Sequence, residues 1–68
     1  SARTFNIEVV SKEPLTWTTL TDPDSMLSGV VSFDNYVQIS VKANVSGSQK
    51  IAGIISNNND LITIIQNA

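Results

Sequence analysis

Apolar residues recur along this chain mostly at every second position, the period of a strand and not of a helix. From Thr4 to Val10, Phe5, Ile7 and Val9 alternate with Asn6 and Glu8, and Leu15 and Trp17 share one face of the Thr-rich run Leu15–Thr21. Gly29–Phe33 forms a third run. The clearest alternation lies between Tyr36 and Val45, where Val37, Ile39, Val41, Ala43 and Val45 oppose Tyr36, Gln38, Ser40, Lys42 and Asn44. Gln49–Ser56 sets Ile51, Gly53 and Ile55 against Ala52 and Ile54, and Leu61–Gln66 closes the series. Between the runs stand Ser11–Pro14, Asp34-Asn35, Ser46-Gly47-Ser48 and Asn57–Asp60, residue types that favour turns. Six short strands at this spacing predict an all-β, antiparallel fold, a small barrel or sandwich spanning residues 1–68 as one domain. The last four are expected to follow one another as a meander.

One segment departs from the β pattern. In Thr21–Gly29, Thr21 or Asp22 suits a helix cap, Pro23 the first helical position, Asp24 the positive amino end and Gly29 the stop. Residues 22–28 are therefore expected to form a short helical turn that lays Met26 and Leu27 on the sheet.

The two closing strands pose a separate problem. A strand with one face in water reads half apolar and half polar, as Tyr36–Val45 does. The last two strands are apolar on both faces apart from Lys50, Thr63 and Gln66. The final one also lacks the internal charge or proline that protects an exposed edge. A neighbouring copy covering this surface accounts for the pattern, with Leu61, Ile62, Ile64, Ile65 and Ile54 as the candidate interface residues. The competing arrangement places the last strand in the middle of the sheet, beneath the helical turn.

Length sharpens the same expectation. A single core of 68 residues rarely supplies more than about 3–5 kcal/mol without a further staple. Cys and His are both absent. Disulfides, thiolate metal sites and the commonest nitrogen ligand for zinc, copper or iron are thereby removed. Oligomerisation remains, so the expected partner is a homo-oligomer, and no cofactor or metal is expected.

Charge and chemistry narrow the function. A net charge of −2 with four scattered cations, Arg3, Lys12, Lys42 and Lys50, does not make the clustered basic surface that binds nucleic acid. No apolar run approaches the roughly 18–20 residues of a membrane-spanning helix. Without His or Cys the chain lacks the usual general base and the strongest nucleophile. Its carboxylates, Glu8, Glu13, Asp22, Asp24, Asp34 and Asp60, fall mostly in expected turns. No catalytic residue is assigned. Asp22 and Asp24 read as capping groups, not calcium ligands, and Asn44-Val45-Ser46 matches the glycosylation acceptor pattern but is read as turn chemistry.

Trp17 and Tyr36 are the candidate ligand-binding residues, because amphipathic rings on a Ser/Thr/Asn-rich sheet can stack on a sugar or anchor a protein. The alternative for Trp17 is a place in the core. Three functions follow in order: a non-enzymatic structural or interaction module that self-associates through its carboxyl-terminal strands, a carbohydrate-binding module, and an inhibitor or regulator that offers an edge strand to a larger protein. Composition leans weakly toward a secreted, cell-surface or virion setting and fixes no compartment.

Overall fold

The computed structural model describes residues 2–68. Six antiparallel strands appear in chain order: β1 (Arg3–Glu8), β2 (Trp17–Thr21), β3 (Leu27–Ser32), β4 (Tyr36–Val41), β5 (Lys50–Ser56) and β6 (Leu61–Gln66). They form two three-stranded sheets, one ordered β1-β4-β3 and the other β2-β5-β6. No described residue is helical.

Two tight hairpins build the sheets. Between β3 and β4 the Phe33 N–H donates to the Tyr36 carbonyl at 2.9 Å, closing the turn over Asp34-Asn35. Between β5 and β6 the turn closes where Ser56 N–H donates to the Asp60 carbonyl at 2.9 Å and Asn59 takes a positive φ of 63°. Asn tolerates that left-handed geometry better than most residues. Each hairpin then gains one outer strand from earlier in the chain, β1 beside β4 and β2 beside β5.

This arrangement departs from the expected meander. β4 and β5 lie in different sheets, and the chain leaves the first sheet after Lys42, whose N–H still donates to the Met26 carbonyl at 2.8 Å. Val45, which alternation had placed on the apolar face, is 93% exposed. Loop residues carry no pleat, so alternation read across Lys42–Val45 had no structural counterpart.

The expected helical turn is likewise replaced by a tight turn. Ser25 N–H donates to the Asp22 carbonyl at 3.1 Å, and Ser25 sits at φ 50°, a left-handed conformation that stops any helix after one step. The Asp22 carboxylate accepts from Met26 N–H at 2.8 Å and Leu27 N–H at 3.1 Å, which starts β3 immediately. The capping chemistry operates on a strand entry instead of a helix.

Both sheets contribute to one core. Val37, Ile39 and Val41 of β4 meet Trp17 of β2, Ala52 and Ile54 of β5 and Ile64 of β6, with Met26 filling the corner between β2 and β3. Phe5, Ile7 and Val9 pack partly against it. At the other end of that edge, where β2 begins and β3 ends, the Trp17 N–H donates to Ser32 Oγ at 2.7 Å and ties the two sheets together. On the opposite side, where β1 and β6 are the outermost strands, no hydrogen bond among the described residues joins the two strands directly, and the tie there runs from Gln66 to the Lys42 carbonyl just past β4.

Candidate functional site

Alternation sends residues of opposite parity to opposite faces, and the two sheets use their outer faces differently. The outer face of β1-β4 carries Thr4, Asn6 and Glu8 beside Ser40, Gln38 and Tyr36. Thr4 and Ser40 hydroxyls share a hydrogen bond of 3.0 Å there. β1 and β4 thus give a polar, water-facing surface, while β3 and its turn add Val31 at 47% and Phe33 at 41% exposure on the same face of the sheet.

The outer face of β5-β6 is of another kind. Register pairs Ile51 with Ile65, Gly53 with Thr63 and Ile55 with Leu61. β2 adds Thr18 opposite Ile55 and Thr21 opposite Gly53, whose missing side chain leaves space for the Thr21 methyl. Ile51 is 46% exposed, Leu61 64% and Ile65 57%. No charged residue occupies these positions. Among the described residues, the segment expected to form a helical turn does not lie over this surface but connects β2 to β3.

The five candidate interface residues therefore divide. Leu61 and Ile65 point outward, and Ile62 is half-buried. Ile54 at 0% and Ile64 at 6% exposure lie in the chain's own core. Ile51 and Ile55 lie on the outer face of the hairpin instead, Ile51 exposed and Ile55 half-buried. Their parity was readable in Gln49–Ser56, but which parity faced inward depended on the partner strands.

The candidate ligand platform also divides. Trp17 is 6% exposed and lies in the core, with only part of it reaching a groove beside β1. Tyr36 remains near the surface, stacked on Phe33 with ring centroids 4.5 Å apart and planes inclined by 9°. The two candidate rings do not share a site.

The second surface is the open side between β1 and β6. A groove of about 470 Å³ sets Ile7, Glu8 and Val9 opposite Asp60, Leu61 and Ile62. Toward the other end, a recess of about 250 Å³ sets Arg3 opposite Ile64, Ile65 and Gln66. β1 and β6 thus run antiparallel along the gap, with Asn6 roughly level with Thr63. Gln66 donates from Nε2 to the Lys42 carbonyl at 2.6 Å, while its Oε1 is buried without a partner.

The backbone along this gap has unpaired groups whose identity follows from the ladder. Val9 N–H donates to the Asn35 carbonyl at 2.9 Å, continuing the β1–β4 register. Antiparallel pairs alternate between hydrogen-bonded and non-hydrogen-bonded. Arg3, Phe5 and Ile7 therefore bond to β4, and the N–H and C=O groups of Thr4, Asn6 and Glu8 face the gap. The same argument from Ser56 and Asp60 leaves the groups of Leu61, Thr63 and Ile65 facing it from β6.

Among the described residues no three Asp or Glu gather into a cation site, and no helix is long and apolar enough to cross a membrane. Comparison with protein-family models, with curated proteins and with solved structures gave no match. The surfaces are read from their own chemistry.

Proposed function

We propose that this chain is a non-enzymatic structural or interaction module, a virion, surface or scaffold component, which self-associates through the outer face of β5-β6. Its two sheets read as a small sandwich, left open between β1 and β6. The observation that carries the proposal is the contrast between outer faces: polar on β1-β4, and apolar and free of charge on β5-β6.

A charge-free face suits its own copy, because an isologous contact opposes identical residues and like charges there would repel. Scattered exposed apolar side chains need no explanation, but a contiguous patch marks an interaction surface. Ile51, Ile55, Leu61 and Ile65 are contiguous through their register.

Size sets the strength. Three strands about 4.8 Å apart and about 20 Å long give a footprint near 280 Å². A stable specific interface buries about 800 Å² per partner. Even doubled for side-chain relief, the face falls short, so association through it alone is dilution-sensitive.

The test is a pair of surface variants. Leu61→Lys and Ile65→Lys, at exposed positions, should leave the circular dichroism spectrum unchanged and lower the solution mass in light scattering coupled to size exclusion. A wild-type mass kept by both folded variants would remove this face as the contact. A wild type that is monomeric throughout would turn attention to the edge-strand regulator reading.

A further inference from the structure

The β5-β6 face alone is too small to hold copies together firmly, and the open side of the molecule offers the missing contact. We propose that β1 pairs with β1 of a second copy, antiparallel about a two-fold axis through Asn6, joining the two β1-β4-β3 sheets into one continuous sheet. This rests on the self-association proposed above and gives it a second, geometrically distinct contact.

The ladder restricts the pairing. Within β1, the residues that present free backbone groups to the gap are Thr4, Asn6 and Glu8, so these form the hydrogen-bonded pairs. Using the strand most fully, from Arg3 to Val9, sets Asn6 against Asn6 of the second copy and Thr4 against its Glu8. Phe5 then falls opposite Ile7 of the second copy, in the closer non-hydrogen-bonded spacing where cross-strand apolar pairs gain most. Both side chains lie on the core side of β1 and are half-buried in the isolated chain.

Charge selects the direction and the occupant. β1 carries Arg3 at one end and Glu8 at the other, and Asp60 lines the groove beside Glu8. Antiparallel pairing brings Arg3 of each copy to the Glu8–Asp60 end of the other. Parallel pairing would set Arg3 beside Arg3. β1 itself therefore carries the charge pattern that its own groove complements.

Symmetry fits as well. Because Asn6 and Thr63 are level across the gap, the same axis brings the two β6 edges alongside each other. β6 has no internal charge or proline, the devices that would keep such an edge apart.

The axis position makes a direct test. The Asn6 side chain is exposed on the outer face, so its replacement leaves the core untouched. Asn6→Lys sets two ammonium groups directly opposite each other, and Asn6→Asp does the same with two carboxylates. A like-charge pair of this kind should weaken the edge contact about fivefold. Each variant alone should show a lower light-scattering mass than wild type at equal concentration, and an equimolar mixture of the two should recover it.

The arms separate the two readings. A wild-type oligomer unaffected by Asn6→Lys or Asn6→Asp would overturn the edge contact and leave face association standing. A mixture that fails to recover mass would also overturn it, since a folding or solubility effect of either variant is not relieved by the other. A wild type that is monomeric at every concentration would overturn both.

Discussion

The Ser56 hydroxyl accepts from Asn58 N–H at 3.0 Å and Asp60 N–H at 3.1 Å and lies 3.3 Å from Asp60 Oδ2, to which it donates. One donor and two acceptor sites are the full capacity of a serine, and here all are used on a residue that is 4% exposed. Asn57 adds a clamp, accepting through Oδ1 from Thr16 N–H at 3.1 Å and donating from its own N–H to the Thr16 carbonyl at 2.9 Å. Ser56→Ala strands these donors and should lower stability by about 1–3 kcal/mol, read as a shift in the urea midpoint. A midpoint within error of wild type would mean water replaces the hydroxyl without loss. The sequence marked Asn57–Asp60 as a turn, but a serine closing a strand looked like any other serine.

Burial divides the isoleucines in the same way. Ile54→Ala removes a fully buried side chain and should destabilise by about 2–5 kcal/mol, whereas Leu61→Ala should stay within about 0.5 kcal/mol in the dissociated chain. Equal effects would place Leu61 in the core, against the structure. The sequence identified both residues as apolar and grouped them in one candidate interface. The choice of inner face came from the other sheet, which the hairpin's own pattern does not contain.

At the scale of elements, all six strands were legible, because each is a local run of alternating or β-branched residues bounded by turn formers. Their partners were not. The β4–β5 crossing replaces an expected neighbour pairing, since the chain after Val41 carries an apolar pattern that the fold does not use. Asp22 shows how a correct local reading gives the wrong element: its carboxylate caps, but the N–H groups it satisfies belong to Met26 and Leu27 at a strand entry. Asp22→Ala should therefore destabilise by about 1 kcal/mol without any loss of helical signal in far-ultraviolet circular dichroism. A loss of helical signal would restore the helical turn. The candidate site was legible in kind, as an apolar surface in the closing hairpin, and only in part by residue.

The whole molecule exposes more surface than its mass requires. Its accessible area is 4526 Å², against about 4,200 Å² for a compact monomer of 7.3 kDa. Its extents are 40 × 19 × 14 Å and its radius of gyration 12.1 Å, against about 11 Å for a typical domain of this length. The excess fits a slab stitched along the β2–β3 corner, open between β1 and β6, and bare on the outside of β5-β6. The contacts proposed between copies use these two uncovered surfaces.

The most direct measurement is sedimentation equilibrium of the wild-type chain over a hundredfold range of concentration. Self-association through these surfaces predicts a weight-average mass well above 7.3 kDa at the high end, declining toward it on dilution. A mass of 7.3 kDa at every concentration would contradict the account, because the apolar face of β5-β6 would then stand in water without a partner copy.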